Sequence, residues 1–496
     1  MGPGKRDAVA CSHSLIKFCI QVLSHIQWDY RYYQDFETLF DYFTTSDTYG
    51  MTLQVQELCN LRLVSKSLCK SATHMLLRCH CLRVNPHLRG IAGLLRAKPG
   101  KDYTASITVP FGASIKHLSF PLNEFPTGNI LAAQPHSPKD AAMGQFKAII
   151  KQLPEFLMQL QELESFKVRF PTYWTLMSMN KRTVRPGAVM NLNMDMLERF
   201  INSIALGLQM PLLSLHSLCL VLPCTYHILL ISETLSDCTA KQLRHLHLGA
   251  TDGTGFGAWK HDANNRAWDD TTVARYFTLS NVLKKFPNRK YESAVFDLVN
   301  RCPNLESLGI ECAHYIGPHS MNWSPTSAGL KALRLETVRI SAADFIRLCS
   351  PSQQNSKSNL THLSLRFVEL SDGTWKEVFS HLTYNTPNLV FLVAEKLGYY
   401  RRGASRHRRG AFFHFQTLHD VDGRPVATNK SLASSHMEDH VQFGKLQLLL
   451  AKRARNDSSD KTSKTLKFCM LRWIEYSTDV LEEAGWTKAE LPWRNW

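Results

Sequence analysis

Leu330-Lys331-Ala332-Leu333-Arg334-Leu335 is preceded by Leu305-Glu306-Ser307-Leu308-Gly309-Ile310 and followed by Leu360-Thr361-His362-Leu363-Ser364-Leu365. In each string the first, fourth and sixth residues are apolar. The fourth and sixth stand two apart, so they share one face of an extended strand, and their neighbours share the other. Five related strings complete the set. They are Ile115 to Phe120, Leu163 to Val168, Leu215 to Leu220, Leu243 to Leu248, and a weaker last one, Leu389 to Ala394.

The last four strings begin 25, 30 and 29 residues apart, whereas the earlier steps are 48, 52, 28 and 62. Leucine-rich repeats occupy about 20 to 29 residues, each a short strand and a return segment. The longer steps imply insertions. Pro303-Asn304 and Pro387-Asn388 stand directly before two strings, where a helix must stop and a strand begin.

The return segments have helical spacing. Tyr291 to Asn300 sets Ala294, Val295, Leu298 and Val299 on one face. Ser341 is placed to cap a helix carrying Phe345, Ile346 and Leu348, and Ser371-Asp372-Gly373 precedes a third with Trp375, Val378, Phe379 and Leu382. Alternating strand and helix predict an α/β fold, a curved parallel sheet with helices on its convex side. Three polar stretches, Pro171 to Met196, Gly249 to Asp270 and Pro351 to Ser358, read as insertions on the rim.

The same alternation assigns a concave face. It places Lys167, Arg169, His245, His247, Arg334, Glu336, His362 and Arg366 on one surface. That row leans positive and suits an acidic or phosphorylated peptide through charge-assisted hydrogen bonds.

Ahead of the strings, Leu58 to Val84 begins as an amphipathic helical unit. Leu58, Leu61, Val64 and Leu68 recur at three- and four-residue steps, Ala72, Met75 and Leu76 extend the stripe, and Leu82 to Val84 read as strand. Leu61-Arg62-Leu63-Val64-Ser65-Lys66, with Leu68 behind it, resembles the second half of an F-box. With residues 82 to 397 joining more loosely, the chain resembles F-box proteins of the divergent fungal type that carry leucine-rich repeats. In the first half, Asp35-Phe36-Glu37 leads into Leu39, Phe40 and Phe43 where the family opens with Leu-Pro.

The resemblance implies a substrate receptor. Leu58, Leu61, Leu63, Val64, Lys66 and Leu68 would bind a Skp-type adaptor of a cullin–RING ubiquitin ligase, and the repeats would hold an unidentified protein target. It implies four segments: 1–30, a frayed helical start; 31–81, the F-box-like unit; 82–397, the repeat arc; and 398–496, a basic extension and cap. The alternative is a repeat scaffold with no ligase, in which the helical unit covers the first open edge of the array.

Composition fits a soluble globular protein able to bury a large core. Hydrophobic residues make up 44%, and 58 Lys and Arg against 42 Asp and Glu leave a net charge of +16, which reads first as a basic but otherwise ordinary surface and second as attraction for acidic partners or RNA. The 13 cysteines form no paired short spacings, which predicts reduced thiols inside a cell. Cys79-His80-Cys81 has no second ligand pair, and His261, Asp262, Asp269 and Asp270 match no ligand motif, so no metal or other cofactor is expected.

No phosphate-binding glycine loop, G-x-S-x-G or H-E-x-x-H string occurs, so no reaction is assigned. Leu218 to Ile231 is too short and too interrupted to span a membrane. A cytoplasmic or nuclear location is expected. The basic runs Arg401 to Arg409 and Lys452 to Arg455 read as solvated linkers, with nuclear import second, and no nucleic-acid partner is expected.

Overall fold

The computed structural model describes residues 82–83, 115–121, 140–170, 193–250, 281–317, 322–323, 329–350, 357–400, 418–419, 425–426 and 432–456. The helical unit 31–81, with all six adaptor residues from Leu58 to Leu68, lies outside them. So do the segment 1–30, most of the two longer insertions, the run 401–409 and the tail after residue 456.

All eight strings form strands. After a short β1 (Leu82–Arg83) come β2 (His117–Pro121), β3 (Ser165–Arg169), β4 (Ser217–Leu222) and β5 (His245–Ala250). They are followed by β6 (Ser307–Ile316), β7 (Ala332–Ile340), β8 (His362–Leu370) and β9 (Phe391–Glu395). The described helices are α1 (Asp140–Met158), α2 (Met194–Gln209), α3 (Thr225–Thr234), α4 (Asp237–Gln242), α5 (Asn281–Lys285) and α6 (Ser293–Asn300), then α7 (Ala342–Cys349), α8 (Trp375–Asn385) and α9 (Met437–Asn456).

Strand order in the ten-stranded sheet follows chain order from β1 to β8, and every pairing is parallel. A fully sequential parallel sheet is what a stack of strand–helix units produces, since each unit pairs only with its neighbours. The sheet is open, and it runs two residues past the boundary expected at 397, because β10 (Gly398–Tyr399) pairs with β8 beside β9.

One backbone motif locks each strand entrance to the next. The carbonyl of the second residue in a string accepts two N–H groups from the following string: Lys116 from Glu164 and Ser165, Glu164 from His216 and Ser217, and so on to Thr361 with Val390 and Phe391. The long loops between early strings leave this ladder unbroken. Insertions can therefore grow without shifting register.

The apolar positions form two rows across the sheet. One runs Leu118, Phe166, Leu218, Leu246, Leu308, Leu333, Leu363 and Leu392, all at most 1% exposed. Helical side chains such as Leu153, Phe200, Ile231, Leu298, Phe345 and Phe379 join these rows in a single continuous core. Burying one such side chain contributes roughly 1.5–3 kcal/mol. Helix entrances follow local chemistry. Ser341 accepts from the Asp344 N–H, and Thr374 forms a capping box with Glu377 one residue after the Ser-Asp-Gly turn.

The C-terminal end is closed by α9, which stacks Phe443 on Phe379 at 4.7 Å. Asp439 accepts from the Lys376 N–H at the α8 N-terminus, and Arg453 donates to the Thr386 and Leu389 carbonyls beyond its C-terminus. Each charge meets the matching end of the α8 dipole. The reading of Lys452 to Arg455 as a solvated linker is thereby corrected: the run belongs to α9, and Arg453 is committed to carbonyls 64 and 67 residues away. Sequence periodicity did not carry this, because the partners are distant in the chain.

Candidate functional site

The face away from the core carries the residues chosen by alternation. Strand register sets His245 and His362 in one cross-strand row, Lys167, His247 and Arg334 in the next, and Arg169, Glu336 and Arg366 in a third. All eight therefore share one surface. They do not form one open row of cations.

Arg334 is the centre of the polar part. Its Nη2 donates to Glu336 at 2.8 Å and to Glu311 at 3.2 Å, and all three residues are at most 5% exposed. His247 lies beside them, Nε2 3.6 Å from Glu311, which is contact rather than a hydrogen bond. Burial pushes the His247 imidazole below its usual range, and the Arg334 and Arg169 charges add to that, while Glu311 opposes it. His247 is thus neutral at pH 7, and the ionic partner of Glu311 is Arg334. Gly309 makes the arrangement possible: a Cβ there would run into His247 Nδ1.

The expected positive lean is corrected for this end of the face. Glu311 and Glu395 occupy the same strand position as Arg169, Glu336 and Arg366, and Glu395 pairs with Arg366 at 3.4 Å. From β6 to β9 this row reads Glu311, Glu336, Arg366 and Glu395, with Arg334 of the adjacent row bonded to the first two, while Lys167 and Arg169 on β3 leave a cationic start. Glu311 was open to the same alternation, since it directly follows the last apolar position of its string.

His362 stacks on Phe391 at 5.6 Å, and burial pulls its imidazole down to about 4. His245 is partly exposed and packs edge-on against His216 at 6.1 Å. Lys167 and Arg366 are partly exposed, and Arg169 is buried.

A second set of charges lies along the strand entrances, at the second position of the strings. Glu164 pairs with Lys116, Glu306 lies 2.7 Å from Lys331, and Arg244 lies 3.5 Å from Glu306. Burial tends to raise both glutamates, but the adjacent lysines outweigh it and hold them below the usual carboxylate range. Side chains here are up to about three-fifths exposed, so these pairs contribute little to stability.

Beyond Glu336, Arg366 and Glu395, the next residue on each strand is left-handed: Thr337 at φ 60°, Phe367 at 53° and Lys396 at 52°. None is glycine. Such a conformation costs about 1–3 kcal/mol in a non-glycine residue and persists only where surrounding structure imposes it. The kink inserts one residue into the alternation, so Val338 and Ile340 return to the core face and Arg339 to the polar one.

The six described cysteines, Cys219, Cys224, Cys238, Cys302, Cys312 and Cys349, are free thiols. Burial pushes Cys302 up to about 12, and it donates to the Leu298 carbonyl. Among the described residues no group of three or more His, Cys, Asp and Glu is placed to hold a metal ion, and no helix is long and apolar enough to cross a membrane.

No family model matches the chain, and no curated protein does. Among solved structures, it is similar to a chain of "Crystal structure of Rad7 and Elc1 complex in yeast". That similarity is 14% identity with a TM-score of 0.21, over 79% of this chain and 92% of that one.

Proposed function

We propose that the chain is a non-catalytic recognition subunit whose repeat sheet holds a protein target. In this reading the residues from Leu58 to Leu68 bind a Skp-type adaptor of a cullin–RING ubiquitin ligase, in the cytoplasm or nucleus. The observation that carries it is the sequential parallel sheet, which starts at Leu82–Arg83 directly behind the F-box-like stretch. A sheet of stacked units offers a long, rigid surface with variable polar positions, suited to holding a partner rather than to concentrating reactive groups.

The protein's contribution would be proximity, placing a target lysine beside a loaded conjugating enzyme. Co-purification of the full chain with a Skp-type adaptor tests this. Leu61→Asp together with Val64→Asp should abolish the association, because a few apolar anchors carry most of the energy of such a contact. An association that survives both substitutions rejects the receptor reading and leaves the repeat scaffold.

A further inference from the structure

Past the left-handed residues, the strand continuations bring four side chains together at the far corner of the sheet. Register sets Arg339 of β7 beside Glu369 of β8, and Glu369 beside Gly398 of β10. Arg339 Nε donates to Glu369 at 2.9 Å. Its guanidinium lies over the Tyr315 ring, 4.5 Å from the centroid, and over the Tyr400 ring at 4.2 Å. Burial of the Tyr315 phenol, with the negative charge of Glu369 beside it, holds it well above its ordinary range.

Two aromatic rings and a carboxylate thereby hold the guanidinium, and the Nε bond restricts its orientation. Among the described residues neither Nη group makes a hydrogen bond, and the Arg339 side chain is 23% exposed. Tyr400, at the rim, is 38% exposed. The conformational freedom a flexible arginine would lose on binding is already lost here, so its outer N–H fork is preorganised for a planar, two-oxygen acceptor. Three strained residues in register support the same corner, which points to a geometry maintained for use.

The neighbouring charge narrows the acceptor. Glu369 neutralises Arg339, so a dianion would meet a carboxylate close by, whereas a single negative charge fits better. We infer that the Nη fork of Arg339 is the docking point for a carboxylate of an acidic peptide segment on the protein target. This deepens the recognition reading above and rests on it.

The test is anisotropy of fluorescein-labelled hexaglutamate with the full chain at fixed salt. Arg339→Lys keeps the charge and loses the fork, and should weaken binding about tenfold. Tyr400→Leu removes one wall and should weaken it about threefold. Lys284→Gln with Lys285→Gln, on α5, should leave it unchanged. Acetate should compete more strongly than inorganic phosphate at matched ionic strength.

Wild-type affinity in the Arg339→Lys chain overturns the inference. So does an equal loss in the α5 variant, which would mean diffuse positive charge alone. Competition by phosphate equal to or stronger than that by acetate overturns the carboxylate assignment. A thermal melt establishes that Arg339→Lys is folded, and if it is not, Tyr400→Leu carries the test. The assay contains no adaptor, so loss of adaptor association leaves its readout untouched and the two readings fail separately.

Discussion

The two faces of this sheet are built from alternate residues of the same strands, yet they behave differently. On the core face Leu246, Leu308, Leu333 and Leu363 repeat one answer, because each unit must bury the same apolar area against the same kind of helix. On the other face the corresponding positions read His247, Gly309, Arg334 and Ser364. No residue type repeats among those four. Those residues answer to their lateral neighbours instead, and the neighbours differ at every strand. The result is a buried charge network around Arg334 and a partly exposed guanidinium at Arg339, only five residues apart in sequence.

Substitutions on the polar face would test how much of it is structural. Arg334→Met removes the cation between Glu311 and Glu336 and leaves two buried carboxylates facing each other. The expected loss is about 3–5 kcal/mol, read from the urea midpoint. An unchanged midpoint would mean that this face is as permissive as an open surface.

A smaller effect is expected from His362→Gln. The folded imidazole titrates at about 4 against an ordinary 6.5, so the unfolded chain takes up the proton first. Stability contributed by the neutral ring is therefore complete above about pH 6.5 and falls as pH drops toward about 4, by up to about 1.4 kcal/mol per unit. His362→Gln should flatten that slope in part, since His227, buried and pulled down to about 3, keeps the same sign. A slope identical to wild type would count against burial as the origin of the acid sensitivity.

The smallest effect belongs to the strand-entrance pairs. Lys331→Ala breaks a contact to Glu306 whose lysine is 59% exposed, and should shift stability by no more than about 0.5 kcal/mol. A loss near that of Arg334→Met would erase the distinction between exposed and buried charge drawn here.

The strands were legible because their signal is local. Leu330-Lys331-Ala332-Leu333-Arg334-Leu335 needs no partner to declare a period of two, and the Ser341 cap needs only the N–H three residues on. Membership of the polar face was legible for the same reason. The partnerships on it were not. Arg334 reaches Glu311 across 23 residues of chain, and Arg339 meets Tyr315 and Tyr400 from opposite directions. No periodicity marks the left-handed turn at Thr337 either, since a β-branched residue at positive φ runs against its own preference.

By itself the amino-acid sequence determined a stack of strand–helix units, because hydrophobic burial acts on short-range patterns that each unit carries whole. Only the tertiary structure decided which charges are buried in pairs, which arginine keeps a usable fork, and that the basic run at Lys452 belongs to the closing helix. Those outcomes depend on register and on distances between strands. Electrostatic and aromatic contacts are set by where side chains arrive, and the spacing along the chain does not encode that.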